Sequence, residues 1–159
     1  MSSDGRVVHI FTAPDTGDDM VEQASVNAVE NRGIEGDRYY KGKGIWNEWE
    51  EDENNEASEI TFIEAEAIEA CREDYDIDLE PSDARRNVVT RGVPLNHLVG
   101  KQFTVGEAVC EGLNLCEPCG YMQGLVGKGK VAEALKHRGG LDARIVKSGE
   151  ISRDDAISL

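Results

Sequence analysis

No apolar stretch in this chain runs beyond a few positions, and most such stretches are rich in β-branched residues and end at glycine or proline. Arg6–Thr12 (RVVHIFT) stops at Ala13-Pro-Asp-Thr-Gly. Residues 60–63 (ITFI) form a second run, Asn87-Val-Val-Thr90 a third ahead of Gly92-Val-Pro, and residues 103–109 alternate faces around Gly106. Runs of this length make strands, and glycine corners let strands bend. The expected fold is therefore mainly β and barrel-like, with a few short helices. Helical spacing appears over residues 64–72, where Ala65, Ile68 and Cys71 recur on one face. Residues 119–125 and 131–136 predict two further short helices, the second closed by His137-Arg-Gly-Gly. Residues 143–147, a Ser148-Gly149 turn and residues 150–152 predict a terminal hairpin. Gly33-Ile-Glu-Gly-Asp-Arg-Tyr-Tyr is predicted to be irregular and closely packed against something.

At 159 residues and 39% hydrophobic, the chain has material for one compact core, and a single domain over 1–159 is expected. Its 17 basic and 32 acidic side chains leave a net charge of −15, which repels phosphate backbones and argues against nucleic acid as a partner. Nothing approaches the roughly 18 apolar residues of a membrane-spanning helix. The start, Met1-Ser-Ser-Asp-Gly, has no basic-then-apolar leader, so a cytoplasmic protein with no membrane partner is expected. Seven acids crowd residues 48–59, predicting a solvated acidic loop suited to docking a partner protein; Trp46 and Trp49 beside it read as anchors.

Against that background, residues 84–106 contain no acid yet carry Arg85, Arg86, Arg91 and Lys101, and residues 118–132 repeat the pattern with Cys119, Lys128 and Lys130. Brought together, the two stretches would form an anion site, because the planar guanidinium fork donates paired, charge-assisted hydrogen bonds to phosphate. The competing reading pairs Arg85 and Arg86 with Asp78, Glu80 or Asp83 on the surface. Cys71 and Cys110 read as small buried hydrophobes. Cys116-Glu-Pro-Cys119 reads as half a zinc site, a redox pair, or a functional thiol with a neighbour. There is no second C-x-x-C or H-x-x-H to complete a zinc site, and Cys119 precedes Gly120 and a predicted helix start, which favours a thiolate. Gly124-Leu-Val-Gly-Lys-Gly-Lys lacks the register of a nucleotide-binding loop, and His97 reads as structural.

Four motifs in order, Gly36-Asp-Arg-Tyr-Tyr, Arg85-Arg-Asn-Val-Val, Leu98-Val-Gly-Lys-Gln-Phe-Thr-Val-Gly and Leu115-Cys-Glu-Pro-Cys-Gly-Tyr-Met, resemble the MOSC domain family. The resemblance implies a β-rich, barrel-like domain that binds the pterin-based molybdenum cofactor (molybdopterin) with the metal ligated by cysteine sulfur. It assigns that ligand, or a persulfide, to Cys119, with Cys116 an adjacent thiol at the cofactor. It assigns cofactor binding to Arg38, Arg85 and Asn87, and to Ser58 on weaker grounds. The activities it implies are reduction of N-hydroxylated compounds, sulfur delivery, or storage of the cofactor without catalysis. An electron-donor or sulfurase protein and a second copy of the chain are the partners to expect. The pyridoxal-phosphate lysine of the sulfurases has no counterpart, and Arg153-Asp-Asp stands where the family closes with Gly-Asp.

Overall fold

The computed structural model describes residues 5–15, 17–40, 58–116 and 130–159. Eleven strands form two sheets: β1 (Arg6–Thr12), β2 (Val21–Glu22), β3 (Ser25–Val29), β4 (Gly33–Ile34), β5 (Ile60–Glu64), β6 (Val88–Arg91), β7 (Gln102–Val105), β8 (Ala108–Leu115), β9 (Leu141–Lys147), β10 (Gly149–Ser152) and β11 (Ile157–Ser158). Helix α1 (Ala65–Tyr75) follows β5, and a one-turn helix α2 (Val131–Ala134) precedes β9. Short 3-10 turns occupy Pro81–Ala84 and Leu95–Leu98. Among the described residues, no helix is long and apolar enough to cross a membrane.

The larger sheet runs β11-β7-β8-β9-β5-β6-β1-β2 and the smaller β10-β3-β4. All pairs are antiparallel except β5 and β6, which α1 connects in parallel. The mainly β architecture with few short helices is the one expected. The large sheet is not closed into a barrel, but the segment leading into β11 at one end bonds to β1, next to the other end. The Val7 N–H donates to the Asp155 carbonyl at 2.9 Å and the Ile157 N–H to the Gly5 carbonyl at 3.0 Å.

Two cores explain which runs become strands. Between the sheets, Val26, Ala28, Ile34 and Ile151 of the small sheet meet Ile10, Phe62, Phe103 and Ile145 of the large one. On the other face, Ala65, Ala67, Ile68 and Cys71 of α1 cover Ile63 and Val89, and Val131, Ala134 and Leu135 close the side. β5 and β6 thus contribute to both cores, which is why their sequences are nearly continuous apolar runs. α1 ends where Asp76 takes a left-handed conformation (φ 52°) and its N–H caps the Cys71 carbonyl.

Three expectations need correction. The bent strand over 103–109 is a hairpin, β7 and β8, turning at Gly106, whose φ of 58° suits glycine. The terminal hairpin does not form. β9 already pairs with β8 on one side and β5 on the other, so it has no free edge, and β10 pairs with β3. The helix over 131–136 is shorter than expected, ending at Ala134. The helix expected over 119–125, the Gly124 turn, Trp46, Trp49 and residues 48–57 of the acidic loop lie outside the described residues. Gly33 lies close to its neighbours as expected, where a Cβ would sit 3.0 Å from the Glu59 carbonyl oxygen and 3.2 Å from the Tyr40 nitrogen, but Gly33–Ile34 is strand β4, paired with β3, rather than irregular chain.

Candidate anion and cofactor site

The first half of the site is the turn after β4. Asp37 is fully buried. Its Oδ1 accepts from the Ala13 N–H at 3.0 Å and from Arg38 Nη1 at 3.1 Å, and its Oδ2 from the Tyr39 N–H at 3.3 Å. Arg38 is held with it, its Nη2 donating to the Arg85 carbonyl at 3.3 Å and its guanidinium lying 4.5 Å over the Tyr39 ring. Two backbone N–H groups and a guanidinium satisfy this buried carboxyl, and it fixes the arginine in one orientation.

The second half is the entry to β6. The 3-10 turn Pro81–Ala84 ends at Arg85, whose left-handed backbone (φ 58°) breaks the strand alternation just before β6 starts. Arg85 therefore stays partly exposed, its Nη2 donating to the Asp18 carbonyl at 2.9 Å. Arg86 turns inward and is only 6% exposed. Its Nε donates to the Gly139 carbonyl at 2.8 Å and its Nη2 to the Cys116 carbonyl at 3.4 Å. Among the described residues these are its hydrogen bonds, and both acceptors are neutral. A buried arginine is ordinarily paired with a carboxylate. Here the fork retains unused N–H donors of its five and keeps its full charge. The expected alternative, pairing of Arg86 with Asp78, Glu80 or Asp83, is not what this side chain does.

Asn87 is fully buried and its amide is committed to the frame. Its Oδ1 accepts from the Thr61 N–H at 3.0 Å and the Thr61 hydroxyl at 3.2 Å, while its Nδ2 donates to the Phe11 carbonyl at 3.2 Å. It thereby ties β1 and β5 together where β6 begins, next to Arg86.

Cys116 directly follows β8 in a buried position, its N–H donating to the Gly140 carbonyl at 2.8 Å. Gly139 and Gly140 therefore connect Arg86 to Cys116. Gly140 has a φ of 115°, and a Cβ there would collide with the Phe62 carbonyl oxygen and lie 3.4 Å from Arg86 Nε. Only glycine fits this approach. Cys119 lies outside the described residues.

Ser58 and Asp142 complete the cluster, both buried, with the Ser58 hydroxyl donating to Asp142 Oδ1. Burial pushes the Asp142 carboxyl up to about 6, against the lowering effects of the Ser58 hydrogen bond and of nearby Arg86. Tyr39 sits among all of these groups. Burial raises its phenol to about 12; the charges of Arg38 and Arg86 pull it down, while Cys116 and Asp37 push it up.

The structure thus gathers Arg38, Ser58 and Cys116 around Arg86 and Tyr39. Arg85 contributes its carbonyl and Asn87 anchors the frame. Sequence reasoning missed Asp37, Tyr39 and Asp142 as site residues; it named Arg86 only as one cation of a possible anion site and gave cofactor binding to its neighbour Arg85. The signal for Asp37 and Tyr39 was present, since both flank Arg38 in the Gly36-Asp-Arg-Tyr-Tyr motif; nothing local marks Asp142.

A family model described as the MOSC domain matches residues 50–158, more than half of the chain. The chain belongs to the MOSC domain family. The match takes in Ser58, Arg86, Cys116 and Asp142, whereas the Arg38 turn precedes it. Solved structures extend the likeness over that turn. YiiM from Geobacillus stearothermophilus superposes with a TM-score of 0.70 at 14% identity, covering 98% of this chain and 74% of that one. The YuaD protein from Bacillus subtilis gives 0.70 at 14% identity, covering 98% and 93%. YiiM from Escherichia coli gives 0.64 at 17% identity, covering 100% and 69%. At these identities the likeness establishes the fold of the MOSC domain. No curated protein sequence matches the chain.

Proposed function

We propose that this MOSC domain binds the molybdenum cofactor on the wall built by Arg38 and Arg86 and uses it to reduce N-hydroxylated compounds. The observation that carries the reading is Arg86, a buried cation whose hydrogen-bond partners are two main-chain carbonyls. Burying an arginine with no carboxylate hydrogen-bonded to it costs several kcal/mol, on the order expected for a desolvated ion, and an anionic ligand bonded to the fork lowers that cost. The donor set fits a phosphate-bearing pterin. The Arg86 fork has N–H groups left for phosphate oxygens, and Arg38 is locked in place by Asp37.

In this reading Arg86 and Arg38 bind and orient the phosphate end, Asp37 and Asn87 hold the frame, and Cys119 supplies the thiolate that a soft metal requires. When bound, the cofactor supplies two-electron redox chemistry fed by an external electron-donor protein.

The test is metal and pterin analysis of gently purified full chain beside Arg86→Ala and Cys119→Ala. Molybdenum and pterin should accompany the wild type. Arg86→Ala should lose both at least tenfold, and Cys119→Ala should lose the metal and any turnover of a hydroxylamine substrate. Cofactor that is absent from the wild type, or retained equally by both variants, overturns the reading. A cyanide-labile persulfide on Cys119 without hydroxylamine turnover would replace reduction by sulfur delivery.

A further inference from the structure

Asp142 is the one buried carboxyl of the site that the reading above leaves without a role. It lies on β9, opposite Thr61 of β5 and Asn114 of β8. From the segment leading into β5, the Ser58 hydroxyl donates to it and the Glu59 carboxylate repels its charge. From the entry to β6, Arg86 attracts that charge. Glu59 is itself engaged, its Oε1 accepting from the Ile145 N–H at 2.7 Å. Beyond Arg86 stand Tyr39 and Cys116, and the Tyr39 phenol stays neutral over the physiological range.

Arg86 therefore has two anions to compete for it: the nearby carboxylate of Asp142 and a ligand that takes up its unused N–H donors. With Asp142 ionised, the buried charges of Arg38 with Asp37 and Arg86 with Asp142 sum to zero. With Asp142 protonated, one positive charge is left for a ligand. We propose that Asp142 is a specificity-determining residue of the anion site, which must take up a proton before a dianion such as a phosphate ester binds well at Arg86. The Ser58 hydroxyl sets how readily it does so. This rests on the anion-site reading above and deepens it.

The carboxyl's raised value places the exchange close to neutral pH, where a ligand can drive it. By linkage, an anion that binds better to the protonated form must also raise the proton affinity of Asp142 to the same extent. One proton taken up per anion corresponds to an affinity that falls about tenfold per pH unit once the carboxyl is ionised.

Sulfate is the probe, because it stays a dianion across the range used. Its binding to the purified full chain is followed by calorimetry at pH 5, 6, 7 and 8, in pairs of buffers that differ in ionisation enthalpy. Wild type should take up close to one proton per sulfate at pH 7 to 8 and bind at least tenfold more weakly at pH 8 than at pH 6. Asp142→Asn, which keeps an acceptor for Ser58, should bind sulfate with no proton uptake and within about twofold the same affinity throughout. Ser58→Ala, which removes the donor that favours the ionised form, should move the wild-type transition to higher pH. Sulfate binding with the same pH slope in wild type and Asp142→Asn overturns this inference and leaves the anion site standing. No sulfate binding at any pH in any of the three proteins overturns the anion site and this inference with it.

Discussion

Strand β6 has an arginine at each end, and the two ends have opposite electrostatics. Arg86, just before the strand, is buried and bonded to carbonyls. Arg91, its last residue, is exposed and gripped by Glu69, with N···O distances of 2.6 and 3.3 Å. Arg72 nearby is paired with Asp78 at 3.0 Å. Arg91, Glu69 and Arg72 line a groove of about 240 Å³ between α1 and β1, together with Val8, Ile68 and Leu79. The groove has two arginines, as the site has in Arg38 and Arg86; Arg91 and Arg72 are each hydrogen-bonded to a carboxylate, as Arg38 is to Asp37, and among the described residues only Arg86 of these four bonds to main-chain carbonyls alone. Glu69 is held below the usual carboxylate range, first by its hydrogen bond to Arg91. What separates a binding site from a salt-bridged surface in this acidic chain is what the guanidinium is bonded to, main-chain carbonyls at Arg86 and a carboxylate at Arg91, rather than how much positive charge there is.

The contrast is broken most severely at Gly140. Its backbone lies against the Phe62 carbonyl and Arg86 Nε, at a φ that side chains rarely adopt. Gly140→Ala has to displace the strand that holds both the Gly139 carbonyl and Cys116. We expect a loss of roughly 3 kcal/mol or more in urea unfolding, typical of a forced backbone clash, together with loss of anion binding. An alanine variant that unfolds within about 1 kcal/mol of wild type would mean that Arg86 is not held in this frame.

The next effect is the pH dependence of stability that Asp142 contributes. Its folded-state value, about 6, lies above the ordinary value of 3.8. Between those two pH values the native state binds the proton more tightly than the unfolded chain does. Stability from this group is therefore present at low pH and is lost as pH rises through that window. Asp142→Asn carries no charge to desolvate. It should match wild type near pH 4 and exceed it at pH 8 by on the order of 2 kcal/mol. Taking the difference between variant and wild type in urea melts cancels the background of the other carboxylates. A variant less stable than wild type at pH 8 would show that the ionised pair with Arg86 stabilises the site outright, and the two ends of β6 would then be alike.

How much of this was legible beforehand follows from the same local physics. β1, β5, β6 and α1 could be read because apolar periodicity and β-branching act within one segment. β2, β3 and β4 went unread because they are short, half polar and stabilised by pairing with distant strands; Ser25–Val29 buries only alternate residues. The placement of β10 depended on which edges were still open in the finished sheet, a property of the whole fold. At the site, the motif pointed to Arg38, and the resemblance gave cofactor binding to Arg85, whereas the buried guanidinium is that of Arg86. Only the left-handed turn at Arg85 determines that Arg86 faces inward.

The smallest effect is expected at the compensated end, and it tests the comparison most directly. Arg91 and Glu69 keep 37% and 53% of their side-chain surface exposed. An exposed pair gains little from its attraction, because water and salt screen both charges and ordering two long side chains costs entropy. Arg91→Ala should therefore cost about 0.5 kcal/mol or less in urea unfolding, and a double-mutant cycle with Glu69→Gln should give a coupling of similar size that shrinks in high salt. Sulfate affinity should stay within about twofold of wild type, because this charge is already neutralised where it stands and lies at the far end of the strand. If Arg91→Ala weakened sulfate binding as much as Arg86→Ala does, the ligand would be responding to the overall balance of charge. Burial of a guanidinium bonded only to main-chain carbonyls would then no longer be the feature that marks the site.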